Sequence, residues 1–336
     1  MAEVPNRRRA LRRATPLLAA GLTLSVAACG GNLSGAQDGE YPAGPITLSV
    51  GAEPGGSTDL IARALADAAQ DELGVAMPVV NTPGANGALA ANQLAAEAPD
   101  GYELLVTNAS LFAITPLAVS EEEAVDLADF EVITGLSRDD YVLVTAESSE
   151  YDTLDDVISA GDGLKFGTTG VGTGSQLAQE LLFQQAEVSA TAVPFDGGSP
   201  TMTAVLGGQV DVGAVQLGEA MPQIESGDVT PLVTFSEERN EYMADVPTAI
   251  EEGYQVRVAQ YRAVVAPAET PAEVVERLRS AFENVFSDES YVSFNEENLL
   301  TPHEVAPEQV AEEWTSSLEE YREIVEEYQI DMGAQE

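Results

Sequence analysis

The sequence predicts an α/β fold with parallel strands, on three observations. Apolar strand-like runs alternate with helix-like runs up to about residue 260. Three strand-to-helix passages break at glycine-rich turns that also carry hydroxyl side chains. Two amphipathic helices then close the chain.

The first passage runs from Ile46–Val50 through Glu53-Pro54-Gly55-Gly56-Ser57-Thr58-Asp59 into Leu60, Ile61, Ala64, Leu65 and Ala68, which recur at helical spacing. The second runs from Leu164–Phe166 through Gly167-Thr168-Thr169-Gly170-Val171-Gly172-Thr173-Gly174-Ser175 into Leu177, Leu181 and Leu182. The third runs from Ala192–Phe195 through Asp196-Gly197-Gly198-Ser199-Pro200 into Met202, Val205 and Leu206. The first turn of each helix has backbone N–H groups with no partner inside the helix, and the macrodipole adds partial positive charge there. Glycine lets a carboxylate or phosphate approach that bare backbone. A single such turn is an ordinary α/β connection, whereas three together describe cradles for a small anion. Ser175 stands where a dinucleotide fingerprint needs its third glycine, and no Gly-Lys-Ser/Thr follows any turn.

A further helix begins at Thr153, with Asp156 completing a capping box. Thr270-Pro271-Ala272-Glu273 gives a second start signal before Val274, Leu278, Phe282 and Val285. The last helix sets Val310, Trp314, Leu318, Tyr321, Val325 and Tyr328 on one stripe, with Trp314 expected in the core. About 300 residues beyond the leader suggest two domains.

Residues 1–28 read as an export signal: Arg7, Arg8, Arg9, Arg12 and Arg13 precede an apolar core from Pro16 to Val26. Val26-Ala27-Ala28-Cys29 resembles the lipobox of bacterial lipoproteins, in which the cysteine is lipidated. Residues 29–40 then read as a flexible tether, and the protein as lipid-anchored through Cys29 outside the cell membrane. Sec and twin-arginine export both remain open.

Cleavage after residue 28 removes five arginines and Glu3 and moves the net charge from −43 to −47, with Lys165 the single lysine. Nucleic acid is excluded as a partner on this charge, and a salty habitat is expected. Catalysis is poorly supplied. His303, the sole histidine, reads as an exposed loop residue, and one lipidated cysteine with one histidine makes neither a nucleophile–base pair nor a metal site. No cofactor is called for, and the protein reads as a binder, not an enzyme.

Pro54-Gly55-Gly56-Ser57-Thr58-Asp59 with Ala62-Arg63, Asn81-Thr82-Pro83-Gly84-Ala85-Asn86-Gly87, and Pro99-Asp100-Gly101-Tyr102-Glu103-Leu104-Leu105 carry a family likeness. It continues through Gly172-Thr173-Gly174-Ser175, Val193-Pro194-Phe195, Leu206-Gly207-Gly208-Gln209-Val210-Asp211, Asp245-Val246-Pro247-Thr248 and Ala266-Pro267-Ala268-Glu269-Thr270-Pro271. These resemble the solute-binding subunits of tripartite tricarboxylate transporters, the Bug family.

The resemblance implies a two-lobed periplasmic-binding-protein-like (type II) fold with the ligand cleft between the lobes. Residues 41–142 and 259–336 would form the first lobe and 143–258 the second, with crossings near Val142–Thr145 and Ala259–Val264. It implies a ligand carboxylate held by Gly55, Gly56, Ser57 and Asp59 from one lobe and Thr168, Thr169, Gly172, Thr173, Gly197 and Gly198 from the other. Asp59 is expected to fix its turn and not to touch the ligand. The implied partners are a small organic acid, di- or tricarboxylate, and the membrane permease subunits that receive it.

Three positions depart from the family pattern: Glu53, often small and apolar, Asp196, often lysine, and Gln176, often histidine. If Glu53 or Asp196 points into the cleft, an amino- or amide-bearing solute becomes plausible, and if both point outward a di- or tricarboxylate remains the better guess. Arg262 and Tyr261 are candidates to supply positive charge and a hydrogen bond. A sensor that signals to a membrane kinase and a hydrolase using paired carboxylates are the competing readings.

Overall fold

The computed structural model describes residues 41–333. The export signal, Cys29, the tether and the last three residues lie outside the described residues.

The chain opens with β1 (Thr47–Val50), α1 (Ser57–Leu73), β2 (Val79–Asn81), α2 (Ala88–Ala95), β3 (Glu103–Asn108) and the short α3 (Ala109–Ala113). A long strand follows, β4 (Phe130–Ala146). Then come α4 (Leu154–Ala160), β5 (Lys165–Thr168), α5 (Gly174–Gln185), β6 (Thr191–Pro194), α6 (Gly198–Leu206), β7 (Val212–Gln216), α7 (Leu217–Ser226) and β8 (Val229–Thr234). The chain ends with β9 (Ala259–Pro267), α8 (Ala272–Val285), α9 (Glu289–Glu297), β10 (Thr301–Pro302) and α10 (Pro307–Tyr328).

β4 organises the molecule. Its first part, Phe130 to Asp140, pairs antiparallel with β9, which pairs antiparallel with β3; β1 lies parallel between β3 and β2. From Tyr141 to Ala146 the same strand pairs antiparallel with β7 on one side and β8 on the other, and β7, β5 and β6 run parallel beyond. One 17-residue strand therefore belongs to two sheets, with the handover at Asp140–Tyr141. The parallel-sheet expectation holds for the βα units and fails for β4 and β9, whose antiparallel pairing follows from the chain crossing between sheets without an intervening crossover helix.

Each sheet is covered on both faces. The first carries α1, α8 and α9 over Leu48, Val50, Leu104 and Val264 on one side, and α2, α3 and the start of α10 over Leu105, Ala263 and Val265 on the other. The second carries α4 and α5 on one side and α6 and α7 on the other. The strands buried on both faces are mostly apolar, as in the wholly buried β7, where only the terminal Gln216 is polar. Each fully buried Val or Leu contributes roughly 1.5–3 kcal/mol, so the cores hold the site's turns rigid.

Helix starts follow the sequence unevenly. Thr153 caps α4 as expected: its Oγ1 accepts from Asp156 N at 3.2 Å, and Asp156 Oδ2 accepts from Thr153 N at 2.9 Å. Thr270 does not cap α8. Its hydroxyl is buried and donates to Pro267 O at 2.7 Å, satisfying the end of β9, so the helix starts at Ala272 without a side-chain cap. The stripe of α10 is packing throughout, with Trp314 buried and stacked on Phe112 at 5.4 Å.

That helix also corrects the assignment of 259–336 to the first lobe alone. Val310 and Trp314 belong to the core under α2 and α3, whereas Leu318, Tyr321, Ile324, Val325 and Tyr328 pack on the core of the second sheet. At 1.5 Å per residue, 22 residues span about 33 Å, long enough to leave one core and reach the other. The chain thus passes between the cores three times, not twice. His303 is a second correction. It is no free loop residue: Nε2 lies 2.8 Å from Glu313 Oε2, and the ring meets Tyr261 edge-on at 5.0 Å.

Candidate functional site

The three glycine-rich turns all lead into helix N-termini, as the alternation of strand and helix dictates. Most of their polar groups are engaged within the turns.

In the first, Asp59 Oδ2 accepts from Gly55 N at 2.8 Å, and its carboxylate also holds Arg63 and Asn81 Nδ2, each at 2.8 Å. These charge-assisted bonds pull the buried Asp59 carboxyl below its ordinary range, overcoming the upward push of burial, which is the largest single influence. Asp59 fixes the turn and uses up the Gly55 amide. Gly56 is the N-cap of α1, so the N–H groups of Ser57 and Thr58 have no acceptor inside the helix.

In the second, Thr168 is fully buried with Oγ1 donating to Gly170 O at 3.2 Å. Thr169 N donates to Ser175 Oγ at 3.2 Å, and Gly172 N donates to Gln176 Oε1 at 2.9 Å. Thr173 caps α5, accepting from Gln176 N at 3.3 Å. Gln176, where the resemblance expects histidine, is thus a brace for the turn. Gly172, at φ 69°, has no room for a side chain: a Cβ there would lie 2.9 Å from Thr115 Cα. Its carbonyl accepts from Thr115 Oγ1 at 3.0 Å and Asn86 Nδ2 at 3.3 Å, which clamps this turn onto the other half of the molecule.

In the third, Gly197, at φ 104°, donates its N–H to Thr169 O at 3.1 Å and caps α6. Gly198 is the first residue of α6 and is buried. Pro200 has no N–H, so Gly198 and Ser199 supply the free donors of that helix end.

Two of these ends converge on a residue that sequence reasoning missed. Glu219, in the first turn of α7, places Oε1 at 3.4 Å from Ser57 N and 3.5 Å from where a Cβ on Gly56 would stand. Its Oε2 packs so closely on Gly198 that a Cβ there would fall 1.8 Å away. The half-buried carboxyl is raised above its ordinary range, first by burial, with the Ser57 bonds pulling the other way. The only local signal was a fourth strand-to-helix passage, Val215-Gln216-Leu217-Gly218-Glu219, with a single glycine.

Beneath it lies Arg262 on β9. It is fully buried, donating Nε to Thr58 Oγ1 at 2.9 Å, Nη1 to Ser137 Oγ at 3.1 Å and Nη2 to Gln216 Oε1 at 3.0 Å, with Asp139 as its ion-pair partner. Ser57 Oγ donates to the same Gln216 oxygen at 2.9 Å. Burial draws the guanidinium down to about 9, so it stays charged at neutral pH, but Asp139 cancels its charge. The expectation that Arg262 offers positive charge to the cleft therefore fails, because a fully buried cation requires its own counter-ion. Glu53 and Asp196 are both exposed to solvent, where screening weakens any repulsion they exert.

One buried group is left without a partner here. The Tyr141 hydroxyl, at the handover of β4, is wholly buried with the Gln216 side chain and the Ser175 backbone as its polar neighbours, neither in good hydrogen-bond geometry, and lies 3.1 Å from where a Cβ on Gly174 would stand, at the N-terminus of α5. Burial pushes its ionisation up, with the Glu219 charge adding to the shift. A separate surface groove of about 530 Å³, between α1, α8 and α9, is lined by Asp67, Asp71, Glu72 and Asp288 and includes no residue of the three turns. An anion there would meet like charge. Among the described residues no cluster of ligating side chains could hold a metal ion, and no helix is long and apolar enough to cross a membrane.

Comparison with known proteins places this geometry. Residues 61–330 match the model of the tripartite tricarboxylate transporter family receptor. A protein of the TAR-I ttuE-ttuC' intergenic region of Agrobacterium vitis is 32% identical over 262 residues, covering 75% of this chain and 74% of its own. Protein BugT of Bordetella pertussis is 31% identical over 279 residues, covering 80% and 84%. Among solved structures, MatC from Rhodopseudomonas palustris with bound malate superposes with a TM-score of 0.77 at 27% identity, covering 85% of this chain and all of that one.

Proposed function

Because the chain belongs to the tripartite tricarboxylate transporter receptor family, we propose that it is an extracytoplasmic receptor that captures a small carboxylate between two lobes and delivers it to membrane permease subunits. One observation carries the reading. The N-termini of α1 and α6, from opposite sides of the cleft, converge on a single carboxylate group, that of Glu219. A place that seats the chain's own carboxylate between two helix ends suits the carboxylate of a ligand. The malate held by MatC points the same way.

We place residues 41–142 and 259–314 in one lobe and 143–258 in the other, with the second half of α10, from Leu318 onward, packed on the latter. From the first lobe the Gly55-Gly56-Ser57 turn, braced by Asp59, contributes the amide of Thr58, that of Ser57 being bonded to Glu219. From the second, the turns of Thr168, Thr169, Gly172 and Thr173 and of Gly197 and Gly198 contribute those of α5 and α6. Most of the carried-over residues shape the turns, and the first-turn amides meet the ligand. A ligand that bridges both lobes favours the closed form, which the permease reads. Lipidation of Cys29 would keep the receptor beside that permease.

The test is thermal unfolding of residues 41–336 against a panel of di- and tricarboxylates, amino acids and aromatic acids. A ligand of the native state at 100 times its Kd stabilises it by about 2.7 kcal/mol, a visible shift in Tm. Silence across the panel at millimolar concentration would reject the reading. For the anchor, Cys29→Ser should move the protein from the membrane to the soluble extracytoplasmic fraction; persistence in the membrane fraction would show a different attachment.

A further inference from the structure

We propose that Glu219 is a built-in latch: in the absence of solute, its carboxylate holds the two lobes closed by sitting where a solute carboxylate would sit. The inference rests on the receptor reading above and adds a device that regulates it.

Three observations lead there. First, the contact crosses between the lobes. Glu219 stands on α7 in the second lobe, and its Oε1 accepts from Ser57 N of α1 in the first at 3.4 Å. Second, the two helix ends it meets have no side-chain cap of their own. The caps of α1 and α6 are Gly56 and Gly197, whereas α4 and α5 carry the threonine caps Thr153 and Thr173. One carboxylate from across the cleft therefore does for α1 what a local Ser, Thr or Asp does at other helices. Third, two glycines clear the way for this approach. A Cβ on Gly198 would collide with Glu219 Oε2, and a Cβ on Gly218, the residue before Glu219, would collide with Asn298 O of the first lobe.

A solute carboxylate that bridges the lobes needs the same helix ends, so it competes with Glu219 and frees Ser57 N as it enters. If the latched form holds about nine-tenths of the empty protein, the apparent affinity falls about tenfold. The latch thus sets a threshold. Only a solute whose contacts with both lobes outweigh those of Glu219 closes the cleft around itself.

The experiment measures lobe separation by pulsed electron paramagnetic resonance between two spin labels. The parent protein is the mature chain with Cys29→Ser, which removes the single native thiol, and with Asp71→Cys on α1 and Ser159→Cys on α4 to carry the labels, both at exposed positions. It is dialysed free of acids, and native mass spectrometry checks that the chain is bare. The parent is expected to show one short distance. Glu219→Ala should add a population at longer distance. Gly198→Ala expels the carboxylate without altering it and should open the lobes in the same way, so the result does not hang on one variant. Glu225→Ala, which removes an exposed acid of the same helix, should change nothing. Calorimetry with the best binder of the thermal panel should give Glu219→Ala an affinity about tenfold above that of the parent. An unchanged short distance in either Glu219→Ala or Gly198→Ala, a long distance already dominant in the parent, or an affinity no higher in Glu219→Ala would each overturn the latch and leave the carboxylate receptor intact. Opening in both variants, with no acid bound by any of the proteins, would keep the latch and overturn the receptor reading.

Discussion

Arg262 is the residue on which the interior of the cleft depends. It reaches four elements: Thr58 on α1, Ser137 and Asp139 on β4, Gln216 at the end of β7, and its own strand β9. Arg262→Met would leave the Asp139 charge buried without its ion-pair partner, held only by the Ser137 hydroxyl at 3.2 Å, and Asp139 Oδ1 already has no partner in the native protein. Breaking a buried pair by removing one partner typically destabilises by about 3–5 kcal/mol. Urea denaturation should show a loss of that size, and Asp139→Asn in the same background should restore part of it. A loss below about 1 kcal/mol would mean that Arg262 is a dispensable filler. The sequence singled out Arg262 for its position near a crossing but could not say that its charge is cancelled, because Asp139 lies 123 positions away in the chain. Glu219 was less visible still, one acid among 57 Asp and Glu residues.

At the scale of elements, local pattern and tertiary demand divided the outcome. The capping box at Thr153 formed because its helix end is exposed and nothing else competes for the threonine hydroxyl. The equivalent signal at Thr270 failed because a nearer acceptor, the Pro267 carbonyl, lies buried with it. The stripe of α10 was legible from its spacing, but a stripe says only that a face is covered. It does not say by which core, and here it is covered by both. A helix fixed to both cores tethers them together, along with β4 and β9, so any closing motion must be absorbed at the handover near Asp140–Tyr141, at the entry to β9 near Ala259, and along α10 between Trp314 and Leu318.

At the scale of the whole molecule, acidity governs how stability varies with pH. Burial lifts Glu180, aided by the Asp331 charge, to about 7, and burial alone lifts Glu304 to about 7; Glu219 and Glu103 are also raised, first by burial. A raised carboxyl means that the native state binds more protons than the unfolded chain, so stability falls as pH rises. The window runs from the ordinary value of 4.5 to about 7. Asp59, Asp156 and Asp288 are shifted downward and act in the opposite sense only below their ordinary 3.8. At constant ionic strength the Tm should be higher at pH 5.5 than at pH 8, and Glu180→Gln with Glu304→Gln should flatten the slope. A Tm that rises over this interval would contradict the assignment. The net charge of −43 adds repulsion in the same direction, relieved by salt.

By itself the sequence determined the α/β class, the three turns, the stripe of α10 and, through ordered motifs, the family. Each of these is written within a few residues of chain, where spacing, glycine and capping chemistry act directly. The tertiary structure alone decided what meets in the cleft: Glu219 with Ser57 across 162 positions, and Arg262 with Thr58 across 204. Such meetings depend on sheet order and on which lobe each strand end faces. A one-dimensional pattern carries no local trace of either, because the contacts arise only after separate hydrophobic cores have fixed where the strands end.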